Sequence, residues 1–305
     1  MRIAVIGGSG FIGSHVVDKL LDRGYDVTVF DIMSPHRTDV RHIFVDLFDF
    51  HRLTIAMAGD YDAYYLLAAM SNVNDVYANP LEAGLLNIQG VINVLEVLRR
   101  KGKGRLIFSS TVWVYMLASD TEVDENTPLL PSAVNHPYTA SKVASEMNIW
   151  AYHKLYNIEF TILRYGIPYG PRGRSGTVIN NFVAKAFRGE PLTIDGDGRQ
   201  YRSFIYVEDL AEGNVAALSE VAKNQVYNLD GMRPVSIKEV AETVGRLIPN
   251  VKIEYRAARP GDFVGKVASS EKAYRELNWQ PKVDIEEGVR RYVRWYEQAV
   301  GQTRK

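Results

Sequence analysis

The 305-residue chain contains no cysteine, which excludes a disulfide framework, a thiol nucleophile and a thiolate metal site. It has no net charge either. Its 36 Lys and Arg balance 36 Asp and Glu, so neither nucleic acid nor an anionic membrane is expected as its main partner. Apolar residues make up 46% of the chain, yet no run approaches the roughly 20 residues of a membrane span. Met1-Arg2-Ile3-Ala4-Val5-Ile6 leads straight into glycines, without the n-region, h-region and cleavage site of a signal peptide. A soluble, cytoplasmic protein is the expectation. The six histidines form no HExxH and no close pair on one helix, which argues against a metal hydrolase. Phe11 in the last position breaks GxSxG. At the Asp195/Asp197 turn, Arg199 and Tyr206 stand where a calcium loop needs oxygens, so no metal is expected.

What the chain does have is alternation. Apolar, β-branched runs at Arg2–Ile6, Asp26–Phe30, His42–Val45, Ala63–Leu67, Arg105–Phe108 and Glu159–Leu163 read as strands. Between them Phe11–Arg23, Pro80–Lys101 and Pro137–Tyr156 read as helices. This layout predicts an α/β fold with a Rossmann-type doubly wound parallel sheet. After Arg164 the pattern loosens into a Gly/Pro-rich stretch and short elements, which predicts a smaller mixed α/β substrate region. The expected division is residues 1–165, with 203–230, for a dinucleotide domain, and 166–202 with 231–305 for the substrate. Met116–His136, rich in Asp, Asn, Ser and Pro, reads as a functional loop.

Gly7-Gly8-Ser9-Gly10-Phe11-Ile12-Gly13 lies between the first strand and the first helix. Gly7 permits the tight turn, Gly10 lets backbone N–H groups approach a pyrophosphate, and Gly13 allows close helix–strand packing. Asp31 follows Gly13 by 18 residues at a strand end, where a carboxylate accepts bonds from a ribose diol and repels a 2′-phosphate. NAD is therefore favoured, with Arg37 keeping NADP open. Asp46-Leu47 is placed to touch the adenine, and Leu67-Ala68-Ala69 has small side chains where a cofactor would pass; taken alone, a turn and a packed core account for these equally well.

Tyr138 and Lys142 stand four apart on a predicted helix, hence on one face. With 18 tyrosines in the chain, roughly one such pair arises by chance, so context decides. The fifth strand ends in Ser109-Ser110-Thr111, at the sheet edge where open α/β folds bind ligands. A tyrosine is a weak base at neutral pH, and a neighbouring ammonium and nicotinamide cation would stabilise its phenolate. Thr111, Tyr138 and Lys142 are thus the candidate catalytic set.

Together with Pro80 and Asn87, Val114-Tyr115, Leu163-Arg164-Tyr165 and Tyr169-Gly170-Pro171, these motifs make the chain resemble the extended short-chain dehydrogenase/reductase family over essentially its whole length. The resemblance is to its sugar-nucleotide epimerase/dehydratase branch, typified by UDP-glucose 4-epimerase. It implies NAD contacts at Gly7, Gly10, Phe11, Ile12, Gly13, Asp31, Asp46, Leu47, Leu67, Ala68, Ala69, Asn87, Ser109, Tyr138, Lys142 and Tyr165. It also implies that Asn181, Arg202 and Arg259 bind the nucleotide diphosphate, that Asp262 contacts the substrate, and that two long helices form a homodimer. As isolated residues, Arg202 and Arg259 would read as surface charges.

The implied reaction is epimerisation at C4 of a UDP-hexose or UDP-hexuronate through a transient 4-keto intermediate, with Tyr138 removing the hydroxyl proton. Val112-Trp113 stands where the dehydratases of this family carry Asp-Glu, which disfavours elimination and decarboxylation. Met116 replaces a glycine and Ile167 an asparagine of the family pattern. The alternative is a 4-ketoreductase consuming NAD(P)H. A non-catalytic relative of the fold would have little reason to keep Thr111, Tyr138, Lys142 and both arginines.

Overall fold

Parallel strands buried on both faces need continuous apolar runs, and the computed structural model, which describes residues 1–116, 118, 122–130, 134, 136–173, 176–257 and 265–303, builds its sheet from such runs. In chain order the strands are β1 (Arg2–Ile6), β2 (Asp26–Asp31), β3 (Arg41–Phe44), β4 (Ala63–Leu66), β5 (Arg105–Thr111), β6 (Glu122–Val123) and β7 (Phe160–Tyr165). They continue with β8 (Ile167–Tyr169), β9 (Leu192–Asp195), β10 (Tyr201–Tyr206), β11 (Gln225–Leu229), β12 (Pro234–Ser236), β13 (Ile253–Arg256) and β14 (Val267–Ala268). Seven form one sheet in the order β11-β7-β5-β4-β1-β2-β3, every pairing parallel. The chain runs outward from β1 to β3 and then crosses back to β4, so the carboxyl ends of β1 and β4 flank a topological switch point, where such sheets bind ligands.

Alternate residues of the strands feed two cores. Ile3 and Val5 pack with Val16, Val17 and Leu20 of helix Phe11–Asp22 and with Leu210 of helix Val207–Ala216. Ala4 and Ile6 face the other way, onto Leu53, Val94, Leu98 and Ile149, from helices Phe50–Met57, Pro80–Lys101 and Pro137–Tyr156. Pro80–Lys101 is long and apolar enough to cross a membrane by length and composition, with a mean hydropathy of 1.3. Its Val91, Val94, Leu95, Val97 and Leu98 are buried against the sheet, as in a core helix. The helix is continuous but contains a π turn at Leu85–Gln89, a feature no hydrophobic pattern signals.

The second half differs in detail from the sequence expectation. β11 is the edge strand of the central sheet, while β8, β10 and β12 form a separate three-stranded sheet. β9 pairs with β13, and β6, inside the expected loop Met116–His136, pairs with β14. These strands are two to six residues long, too short for periodicity to reveal. Phe182, Val183, Ile194, Phe204, Val240 and Val289 close a third core around them.

Asp209 joins the two halves. Its Oδ2 accepts the Lys282 and Val283 N–H groups at 2.9 and 2.8 Å, and its carbonyl accepts Trp279 Nε1–H at 2.9 Å. Replacing it by alanine strands two backbone donors, at about 1–3 kcal/mol. Asp209→Ala is expected to lower the denaturant midpoint accordingly, measured by chemical unfolding followed through tryptophan fluorescence.

Candidate active site

The glycine loop occupies the switch point. Gly7 has φ 86° and its N–H donates to Phe30 O at 2.9 Å. A Cβ on Gly7 would lie 2.4 Å from Ala68 N, and one on Gly13 would lie 2.0 Å from Gly7 O. No side chain could be added at either place without moving backbone. Gly10 is the N-cap of helix Phe11–Asp22, which has no side-chain cap bond and no acidic residue in its first turn. The N–H groups at Phe11 and Ile12 thus begin a helix terminus suited to an anion. Asp31, 8% exposed, accepts Ser9 N–H and Met33 N–H, each at 2.9 Å. It thereby ties the loop to the end of β2 while its carboxylate retains acceptor capacity.

The remaining expected cofactor positions surround this loop. Leu67 and Ala68 N–H groups both donate to Ile6 O, at 2.8 and 3.1 Å, and Ala69 follows them, all three half-buried. Asp46 is exposed and accepts Phe48 N–H at 2.9 Å; Leu47 is buried, its carbonyl held by Asn93 Nδ2 at 2.7 Å. Asn87 lies in the π turn, 2% exposed. Its side chain exchanges bonds with the backbone of Met70, both 2.9 Å, and donates to Ser141 Oγ at 3.1 Å. Ser145 Oγ–H donates to its carbonyl at 2.7 Å, so Asn87 clamps the loop after β4 to the Tyr138–Lys142 helix. Tyr165 turns its hydroxyl to Asn214 Oδ1, inside the core.

Thr111 ends β5, its Oγ1 accepting Trp113 N–H at 3.2 Å. Tyr138 and Lys142 come from the first turns of helix Pro137–Tyr156, which packs against β5. Lys142 is 3% exposed, with Nζ 2.7 Å from Ser109 O and 4.7 Å from the Phe108 ring centroid. Burial pushes its ammonium down to about 7, against the pull of Glu146 in the next turn of the helix. Glu146 is itself fastened by Arg164 (Nη2–Oε2 2.6 Å, Nε–Oε1 3.1 Å) and by Ser110 Oγ. Arg164 also donates to Tyr115 OH, which donates to Asn228 Oδ1 at 2.9 Å. This buried network was not foreseen; its one sequence signal is Glu146 four residues after Lys142 on the same helix face.

Beside Thr111 opens a cleft lined by Val112, Trp113, Met116, Ile167, Arg202, Ser203, Asp230 and Lys266. It gathers the two departures from the family pattern, Met116 and Ile167, with Arg202. Asp230 and Lys266 are additions that no motif marked. Asp230 is 1% exposed and accepts Gly231 N–H at 2.9 Å and Ala268 N–H at 3.3 Å; burial pushes its carboxyl up to about 7. Asn181 is exposed on helix Val178–Phe187 and accepts Gly176 N–H at 3.1 Å. Arg259 and Asp262 lie outside the described residues.

Residues 3–230 match the model of the NAD dependent epimerase/dehydratase family. The chain belongs to that family. It is 34% identical over 304 residues to a putative UDP-glucose 4-epimerase of Methanocaldococcus jannaschii, covering 96% of this chain and 97% of that protein. It is also 34% identical over 302 residues to UDP-glucuronic acid decarboxylase 1 of Arabidopsis thaliana, covering 96% and 69%. Among solved structures, UDP-glucose 4-epimerase of Thermotoga maritima with UDP-glucose superposes with a TM-score of 0.91 at 29% identity, covering 98% of this chain and all of that one. The superposition agrees with the fold described above.

The cradle fits NAD: two glycines whose Cβ atoms would fill it, an uncapped helix terminus for the pyrophosphate and Asp31 at the β2 end. Gly13→Ala, whose methyl would meet Gly7 O at 2.0 Å, is expected to reduce NAD affinity at least about a hundredfold, equivalent to about 2.7 kcal/mol. Isothermal titration with NAD+ checks this.

Proposed function

We propose that this protein is an NAD-dependent epimerase acting at C4 of a UDP-hexose or UDP-hexuronate. The observation that carries the reading is the bond from buried Lys142, on the helix of Tyr138, to Ser109 O on β5, the strand that ends in Thr111, with Val112 and Trp113 lining the adjacent cleft. The residues after Thr111 are therefore apolar. Neither can take or give the second proton that elimination or decarboxylation chemistry needs, although decarboxylases share equal identity with this chain.

Bound NAD supplies the hydride acceptor and, on return, its donor. The chain's own residues handle binding and the proton. Thr111 Oγ, at the strand end, positions the reacting hydroxyl; the Tyr138 phenolate takes its proton and later returns it to the other epimer. Lys142, anchored by Ser109 O, provides the positive charge that stabilises the phenolate. Since burial leaves the ammonium near neutral, that assistance declines as pH rises past about 7 in the cofactor-free site. Arg202 in the cleft wall, with Asn181 and Arg259, is assigned to the nucleotide diphosphate, where guanidinium groups bind phosphate oxygens through paired donors, and Asp262 to the substrate elsewhere. The sugar must stay loosely held to present both faces to the cofactor.

Incubating the protein with UDP-glucose, UDP-galactose, UDP-glucuronate or UDP-galacturonate plus catalytic NAD+ is expected to yield the C4 epimer without accumulating NADH. Tyr138→Phe is expected to lose at least about a thousandfold in kcat, within the usual range for a proton-transfer group. Stoichiometric NADH oxidation with a 4-keto sugar nucleotide, and no epimer from any donor, would instead assign a ketoreductase.

We further propose a homodimer through helices Pro80–Lys101 and Pro137–Tyr156. Leu81, Leu85, Met147, Trp150 and Leu155 leave apolar surface exposed on these two adjacent helices. Leu81/Leu85 and Met147/Trp150 follow helical spacing along one face each. Light scattering after gel filtration is expected to give twice 34.4 kDa, with Met147→Arg reducing it toward the single-chain mass.

A further inference from the structure

The catalytic helix begins with an unusual cap. Pro137 is its first residue, and His136 stands before it with φ −133° and ψ 126°, so the imidazole takes the place usually held by Ser, Thr, Asp or Asn. Tyr138 N–H donates to His136 Nδ1 at 3.0 Å. A ring nitrogen accepts only when it carries no proton, so this bond fixes the neutral tautomer with its hydrogen on Nε2. His136 Nε2 is buried and has no hydrogen-bond partner among the described residues.

The ring is 7% exposed and is held among three aromatic side chains. Tyr77 from helix Val73–Ala78 lies 4.8 Å away centroid to centroid, Trp113 from the turn after β5 at 6.2 Å and Tyr138 at 6.4 Å, all edge-to-face. Among the described residues, Tyr77 and Tyr138 are the titratable groups facing it, and desolvation lowers its pKa. Thus the burial that packs the cap beside the site also opposes its protonation.

We propose that His136 is a positioning residue, seating Tyr138 by capping its helix through an unprotonated Nδ1, so that protonating this imidazole unseats the phenol. The inference rests on the reading of Tyr138 as the acid–base group. Protonation turns Nδ1 into a donor facing the Tyr138 N–H donor, and the bond is lost. Tyr138 is the second residue of the helix, so its phenol follows the first turn. A hydroxyl or amide cap does the same work at every pH; an imidazole cap makes it conditional. The linkage has the same sign. A histidine whose folded pKa is depressed contributes its full stabilisation above the unfolded value near 6.5 and loses it as pH falls from there through the folded pKa.

The test compares wild type with His136→Asn, whose side-chain oxygen caps well and does not titrate. Two readouts are followed from about pH 8 down to the acid limit of the folded protein: kcat with the UDP-sugar turned over in the panel above, and hydrogen exchange at the Tyr138 amide, which needs no turnover. The ratio of His136→Asn to wild-type kcat is expected to rise about fivefold as pH falls, the factor corresponding to loss of one helix cap. Tyr138 amide protection should collapse over the same range in wild type and stay level in the variant. A constant kcat ratio, or level protection in wild type, overturns the proposal. A constant deficit in His136→Asn would assign the imidazole to substrate contact instead. Full turnover in Tyr138→Phe would defeat the acid–base reading itself, and with it the coupling to catalysis, while the amide-exchange midpoint would still report the cap.

Discussion

A lysine taken almost wholly out of water must be given partners, and that requirement organises this site. Lys142 Nζ is bonded to Ser109 O on β5, lies over the Phe108 ring and has Glu146 beneath it. This bond and the one from Ser110 Oγ to Glu146 fix where the helix stands along the sheet. Thr111 ends that strand, and Tyr138 lies one helical turn before Lys142 on the helix so placed. Glu146 could not remain buried as a lone carboxylate. The bidentate Arg164 pair and Ser110 hydroxyl hold it, and Tyr115 and Asn228 carry the network across to β11. Four buried elements are thereby fastened beneath the reacting groups.

The cofactor side is built differently. It uses backbone, close approach and a helix terminus rather than charged side chains, which is how a chain with no net charge can hold a dianionic pyrophosphate. Gly7 and Gly13 touch across the βα turn so tightly that a methyl group at either would strike backbone. Asp31 adds a carboxylate that binds the loop it adjoins. The substrate side is side-chain built: Arg202, Lys266 and buried Asp230 meet Met116 and Ile167 around one cleft. Positions that depart from the family pattern therefore cluster in space, on the wall that would face the sugar nucleotide. Gly166 allows this arrangement, since a Cβ there would lie 2.0 Å from Asp230 Oδ1.

Much of this was legible in the residues. Strands β1–β5 and β7, the three long helices and the glycine loop have local signatures: apolar runs, 3.6-residue periodicity and the need for glycine where backbones touch. Tyr138 and Lys142 were legible because a helix places residues four apart on one face, and Thr111 because strand ends in open parallel sheets form the ligand edge. The short strands of the second half carried no such signal. Neither did Asp230, Lys266 or Asn228, whose significance depends on neighbours remote in sequence.

The sequence alone determined the order of the first strands and helices, the glycine loop and the placing of Tyr138 and Lys142 on one helix face, because each depends on spacing within a few residues. Tertiary structure decided the rest. It placed β11 at the sheet edge, turned the Tyr165 hydroxyl into the core, made Asn87 a clamp between loop and helix, and buried His136 among three aromatic rings. Burial and partner choice are properties of contacts between distant segments, and only the folded chain specifies which groups leave water and which neighbours they meet there.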